Sequence, residues 1–200
     1  MSGLISLMLS GVMAATPTTP LPWFEMDDYP VWAFQRHQQG VTAFELLVDP
    51  NGKPANCTIV SSSGSDTLDR QACTVAMRKA RFAAALDANG APVYGIYRTK
   101  VTWALDPDQW AQLEAGPDIE INLSKLPDDA TQPIDVKFAY LVDSNGQPGG
   151  CSAVGPNHPK VLDALGCKQL TSNVQRAPSA AKIGNAPVVQ TAWVRFAPTQ

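Results

Sequence analysis

The eleven residues LVDPNGKPANC, Leu47 to Cys57, return as LVDSNGQPGGC, Leu141 to Cys151, ninety-four positions later. An internal repeat constrains the fold more than any local pattern, because whatever the first copy forms the second must be able to form as well. The match extends outward at the same displacement: Phe44 and Val48 fall on Phe138 and Val142, Leu68 on Leu162, and Cys73 on Cys167. NGAPV (Asn89 to Val93) has its counterpart GNAPV (Gly184 to Val188) ninety-five positions on, so one residue has been inserted. Two copies of one unit are expected, at residues 29–105 and 133–200 of the 200.

In the second copy Ile134, Val136, Phe138, Tyr140 and Val142 alternate with Asp135 and Lys137, the period of a half-buried strand. Phe44, Leu46 and Val48 keep the same phase in the first copy. Both strands run into Asn-Gly, Asn51-Gly52 and Asn145-Gly146, which tolerates positive φ and predicts a hairpin, with NCTIVS and CSAV as return strands. A helix follows. In the first copy Ser65 or Asp66 caps it, Asp66 and Asp69 lie in its first turn, and Arg78, Lys79 and Arg81 crowd its end, as the helix dipole prefers. Its inward stripe is Leu68, Ala72, Val75 and Ala76. In the second copy Pro159 fits the first helical position, and Leu162, Leu165 and Leu170 supply the apolar face. Val93 to Trp103 and Val188 to Phe196 are the closing strands. Each unit is therefore expected as α+β: a three-stranded antiparallel sheet with one helix packed on it.

Charge divides the chain in the same places. Residues 29–105 hold eight bases against five acids and residues 133–200 six against three. Residues 106–132 hold seven acids against the single base Lys125. An acidic linker between two domains is the preferred description, solvated rather than folded back on a basic surface. The overall charge of −3 and the modest excess of bases in each unit speak against nucleic acid as a partner.

A unit of this size buries little apolar surface, and such domains often carry a covalent or metal staple. Each copy places one cysteine at the start of its second strand and one on its helix, sixteen residues apart: Cys57 with Cys73, and Cys151 with Cys167. One disulfide per unit is the preferred expectation; a zinc site, for which only His37 and His158 could help, and free core thiols are the alternatives. No metal or cofactor is expected. The apolar run LISLMLSGVMAA, with Val12 and Ala14 at the positions of a signal-peptidase site, marks residues 1–15 as a signal-like segment and suggests export to an oxidising compartment. Residues 16–28 follow as a short Pro/Thr spacer.

The first copy resembles the C-terminal domain of the TonB energy transducers. The resemblance lies in a Tyr-Pro-x-x-Ala entry (Tyr29, Pro30, Ala33), Gly40, the Asn-Gly hairpin, a Ser-Ser-Gly turn (Ser62, Ser63, Gly64), Leu68-Asp69 opening the helix and Arg81-Phe82 closing it. The second copy keeps the hairpin, the helix leucine and the cysteine spacing, and is a diverged copy. The resemblance implies a periplasmic protein that binds extended segments of outer-membrane TonB-dependent receptors, in energy transduction and transmembrane transport. It implies Tyr29, Pro30, Ala33, Tyr94, Ile96, Arg98, Lys100 and Thr102 as partner-binding positions, because the last strand of the domain is the border on which receptor segments pair. Backbone groups on the border of a three-stranded sheet are available for strand addition. Arg98 and Lys100 there either attract an acidic partner or merely guard the edge against aggregation. An anchor upstream of Met1 would tether the protein to the inner membrane and add inner-membrane motor proteins to the partners; a homodimer is also open.

No enzyme is expected. His37 lies in the polar run QRHQQ and His158 beside Pro159, neither within a motif, and Ser61, Ser62 and Ser63 lack the flanks of a nucleophile elbow. The alternative function is an envelope structural or inhibitory protein that uses the fold without receptor contact. Tyr29, Trp32 and Phe34 would then form a stacking surface, although packing of the entry segment on the sheet is preferred for them.

Overall fold

The computed structural model describes residues 11–19, 22–105, 117–155, 157–172, 180 and 183–199. Two stretches share one order of elements. The first is β2 (Gly40–Val48), β3 (Pro54–Ser61), α2 (Asp66–Lys79) and β6 (Pro92–Trp103), and the second is β8 (Ile134–Val142), β9 (Pro148–Ala153), α3 (Val161–Ser172) and β10 (Val188–Pro198). Each hairpin is antiparallel and its first strand also pairs antiparallel with the closing strand, Phe44 opposite Thr99 and Phe138 opposite Ala192. The smaller elements are β1 (Thr16–Pro17), α1 (Val31–Gln35), β4 (Phe82–Ala83), β5 (Ala85–Leu86) and β7 (Ile119–Leu123).

The two expected sheets are one. Among the described residues eight strands join in the order β3-β2-β6-β10-β8-β9, with β5 attached to β6 and β7 to β10. The seam is short: β6 and β10 run parallel, Tyr94 opposite Val188 and Gly95 opposite Val189. When two closing strands pair in parallel, the axis relating them lies along the strands, so one half is turned over relative to the other. The cores agree. Phe44, Leu46 and Val48 pack with Leu68, Ala72 and Ala76 of α2, and the same cluster takes Ala139 and Val189 from the other half. Phe138, Val136 and Val142 pack with Leu162 and Leu170 of α3, and that cluster takes Leu47 and Ile96. Since successive strand residues point to opposite faces, α2 and α3 cover opposite faces of one sheet.

The hairpins differ from a two-residue Asn-Gly turn. Only Gly52 and Gly146 have positive φ, 79° and 78°. The rest of each turn is held by an aspartate: Asp49 Oδ1 accepts from the Asn51 and Lys53 amides, and Asp143 Oδ1 from the Asn145 and Gln147 amides. In α2 the inward stripe is as expected, with Leu68, Ala72, Val75 and Ala76 all buried. In α3 it is not: Leu165 is 40% exposed, and the helix starts at Val161, after Pro159. The inner face there is Leu162, Gly166 and Leu170, because the Phe138 ring fills the space at position 166. A Cβ on Gly166 would lie 2.2 Å from Phe138 Cζ.

The sulfur atoms pair as expected within each half, Cys57 with Cys73 and Cys151 with Cys167, at S–S distances of 1.98 and 1.99 Å. Each links the second strand to the helix above it. No helix among the described residues is long and apolar enough to cross a membrane.

The expected spacer and part of the linker expected to be solvated are packed. The stretch 16–28 pairs Thr16–Pro17 with Phe82–Ala83, buries Trp23, and sets Phe24 edge-on against Trp103. The expected linker supplies β7, which runs parallel to β10 from Ile119 opposite Val194 to Leu123 opposite Pro198. Its acids do not prevent this, since Glu120 and Asn122 alternate with half-buried Ile119, Ile121 and Leu123. Residues 106–116 of that linker, and Leu4–Ser10 of the expected leader, lie outside the described residues. Val12 and Ala15 are each 4% exposed, Met13 exchanges backbone hydrogen bonds with Leu86, and Ser152 donates to the Val12 carbonyl at 2.6 Å. The segment where a leader cleavage was expected thus lies across the seam between the halves.

Candidate functional site: a cleft beside the closing strand

Of the residues that carried the family resemblance, Tyr29, Ala33, Gly40, Ser62, Ser63 and Asp69 come together at one end of the first half while Gly52 meets Phe82 at the other, and both groups hold the chain rather than present it. Ala33 has no exposed surface. The Tyr29 hydroxyl donates to the Gln38 carbonyl, and its ring meets Trp103 at 5.4 Å. Gly40 lies against the Ser63 carbonyl so closely that a Cβ would stand 2.3 Å from it. Ser62 and Ser63 in turn bind Asp69. The Asp69 carboxylate accepts from Ser62 Oγ at 2.5 Å, the Ser63 amide at 3.0 Å, Ser63 Oγ at 2.8 Å and Thr42 Oγ1 at 2.8 Å, and Thr42 accepts from Trp103 Nε1 at 3.0 Å. Burial pushes this carboxyl up, but the four hydrogen bonds outweigh it and its pKa lies below the usual aspartate value. Asp28 follows the same logic: burial pushes it up, while Lys79 at 2.8 Å, the Glu25 amide and Arg78 bring it below. That cluster ties the entry segment to the end of α2. Pro30 only precedes α1.

Trp32 and Phe34 do not pack as expected. They are 55% and 52% exposed, and the Arg36 guanidinium lies 3.5 Å over the Trp32 ring. Five residues are too short a helix to bury both faces, and its inward position is taken by Ala33.

The positions expected along β6 divide in two. Tyr94 lies on the seam, and Ile96, 1% exposed, is in the core of the opposite half, so the start of β6 is engaged within the chain. After Gly95 the strands part. β10 turns its border to β7, and the handover is made by Asp118: its amide donates to the Trp193 carbonyl at 2.9 Å, and its carboxylate accepts from the Trp193 amide at 2.7 Å. Between the diverging strands lies a cleft of about 480 Å³ lined by Tyr97, Arg98, Thr99 and Lys100 of β6, Ala43, Phe44 and Val60, and Asp118, Lys137 and Trp193. Arg98 spans its floor, from buried Glu45 at 3.3 Å to the Thr191 carbonyl at 3.5 Å. Thr102 stands further along β6, opposite Val41.

Lys137, Trp193 and Asp118 were not foreseen as site residues. Lys137 and Trp193 are cross-strand neighbours on β8 and β10, and the Lys137 ammonium sits 5.4 Å from the Tyr97 ring centroid and 5.9 Å from that of Trp193. Burial pushes its pKa down, with Asp118 acting against that. A hint was present in the alternation of the last strand, which sets a large aromatic, Trp193, on the face opposite its neighbours Ala192 and Val194.

The first half is thus a small α+β unit whose closing strand borders a cleft, with its other features devoted to holding the strands. Residues 27–105 match the family model of the Gram-negative bacterial TonB protein C-terminal, so this segment of the chain is similar to that domain. That family is a non-catalytic protein-interaction domain associated with the cell envelope. No curated protein and no solved structure matches the chain.

Proposed function

We propose that the chain is a periplasmic TonB-family protein that binds extended segments of outer-membrane transport receptors by strand addition to β6, within the cleft. The observation that carries this is the parting of β6 and β10 after Gly95, which leaves Tyr97–Lys100 facing a space of about 480 Å³. The sheet is suited to such a guest, because β7 is a five-residue strand docked in parallel on the border of β10. Backbone pairing would provide affinity and side-chain pockets specificity. In this proposal residues 133–200 are a diverged second copy of the domain whose own border is filled from within, by β6 at Val188–Val189 and by β7 from Val194 onward. Receptor contact then falls to the closing strand of the first copy, and the protein works in the periplasm, where receptors can reach it.

The test is titration of the full chain with peptides copied from the periplasmic segments of TonB-dependent receptors, followed by amide hydrogen exchange. Binding with slowed exchange at Tyr97–Val101 is the expected result. Binding that protects only other parts of the chain, or no binding to any receptor peptide, overturns the proposal. A second reading, an envelope binding protein without receptor contact, draws on the exposed Val31, Trp32 and Phe34 and on the Arg36 stack. Ligand loss in Trp32→Ala with an unchanged melting temperature would favour it.

A further inference from the structure

The strand-addition reading says where a guest lies and leaves open what chemistry it carries. The cleft has two walls. One is β6, from the segment similar to the TonB C-terminal domain; the other is built by Lys137 and Trp193 of the second half and by Asp118 at the head of β7. A guest on β6 must therefore meet side chains that the first half does not possess.

Lys137 is the unusual member of that wall. It is half-buried, its ammonium is held between the rings of Tyr97 and Trp193, and no carboxylate lies within ion-pair distance of it among the described residues. Asp118, the nearest acid to act on it, spends its carboxylate on the Trp193 amide at 2.7 Å. Glu45, the other acid in the neighbourhood, is fully buried against Arg98. A half-buried ammonium keeps a large part of its desolvation cost unless an anion joins it, and aromatic faces offset only part of that cost. Two other cations of this sheet have a carboxylate partner: Arg195 lies 2.7 Å from Asp135, and Arg98 lies 3.3 Å from Glu45. The omission at Lys137 falls in the cleft.

We infer that Lys137 is a specificity-determining residue that receives a carboxylate of the guest, so that the cleft selects acidic extended segments of a protein partner over neutral ones of the same shape. The inference rests on strand addition at β6. β7 supplies a model for such a guest, since it is a short parallel strand that opens with an acid, Asp118, and continues with Ile119, Ile121 and Leu123 on one side and Glu120 on the other. On β10 the opening acid caps the backbone where the strands part. On β6 the corresponding acid would enter at the vertex of the cleft, where the Lys137 ammonium stands.

The experiment uses the full chain and two synthetic peptides: one with the sequence of Pro117–Ser124, and one in which its two acids are replaced by their amides. Affinity is measured by calorimetry and the site of binding by amide exchange. The acidic peptide should slow exchange at Tyr97–Val101 and bind about tenfold more tightly than the amide peptide, the value of one charge-assisted contact in a partly buried site. Lys137→Met, which keeps the apolar stem over Tyr97, should abolish that ratio, and Lys137→Arg should preserve most of it. Equal binding of both peptides at β6, unaffected by Lys137→Met, refutes the carboxylate inference and leaves strand addition standing. Protection of neither peptide's making at Tyr97–Val101, or protection at Val194–Pro198 from exchange with β7, removes strand addition at β6 and the inference with it. A concentration-dependent dimer that Lys137→Met dissociates would assign the cleft to a second copy and likewise refute it.

Discussion

Asp69→Ala is the substitution whose cost can be worked out most completely from this structure. The carboxylate accepts four hydrogen bonds, from Thr42, Ser62, the Ser63 amide and the Ser63 hydroxyl. Ser62 is exposed and Ser63 half-buried, so these donors can turn to water once Asp69 is lost. Thr42 cannot: it has no exposed surface, and its oxygen already accepts from Trp103 Nε1. One orphaned buried hydroxyl costs roughly 1–3 kcal/mol, and loss of the charged bonds to the Ser62–Ser63 turn adds a further 1–2 kcal/mol or so after water has compensated. The expected loss is about 3–4 kcal/mol, read from urea unfolding at pH 7 with the disulfides intact. Asp69→Asn keeps one acceptor and should cost about half as much. The pH dependence has a definite sign. A carboxyl depressed in the folded state stabilises above its unfolded pKa, near 4, and that contribution disappears as pH falls through the lower folded value. The gap between wild type and Asp69→Asn should therefore narrow on acidification below about pH 4. A cost under about 1 kcal/mol for the alanine variant, or a gap that stays constant down to pH 2, would refute the assignment of the Ser-Ser-Gly turn as an anchored element.

Three further outcomes are expected. Gly166→Ala drives a methyl into the Phe138 ring and should lower stability by about 2–3 kcal/mol, seen as a lower urea midpoint with an unchanged slope. Replacing Cys57 and Cys73 together with serine opens a loop of sixteen residues and should cost about 3 kcal/mol in the chain-entropy account, measured against the same double change at Cys151 and Cys167, which should cost a similar amount. Val12→Asp places a carboxylate against Gly150 and Ser152 at the seam, and should destabilise the chain by about 2–4 kcal/mol and expose residues 11–19 to protease.

What the sequence discloses here is what is local. The alternation of Ile134 to Val142, the spacing of Leu68, Ala72 and Ala76, and the two cysteine pairs each declare their element because the physics behind them acts over a few residues or one loop. The strand at Ile119–Leu123 also has its period of two in plain view, yet seven acids in the surrounding stretch point to solvent, and nothing local says that a border of β10 awaits it. The Leu165 error is of the same kind. Helical spacing cannot decide between Leu165 and Gly166 as the inward residue, because that choice belongs to Phe138, twenty-eight positions away. The candidate site was legible only as a strand: Arg98 and Lys100 were visible along β6, whereas Lys137, Trp193 and Asp118 reach the cleft through a seam of two residue pairs that no pattern in either half announces.

That seam explains why a chain would carry two such halves and still leave only one closing strand with an open stretch beside the cleft. A small sheet with an open closing strand risks pairing with its own kind, and two in one chain raise the local concentration of that error. Continuous pairing of β6 with β10 would remove both borders and any binding capacity together. Here the pairing stops at Gly95, because β7 takes over β10 and Asp118 seals the Trp193 backbone at the point of departure. Gly95 itself is held by close packing: a Cβ there would lie 2.9 Å from the Cβ atoms of both Ala15 and Ala85, so the N-terminal segment and β5 fix the point from which the strands diverge. The second half is thus the wall that keeps β6 from a full-length partner of its own sheet. The strand β7, supplied by the segment between the halves, fills the border of β10 and leaves β6 as the closing strand that borders the cleft.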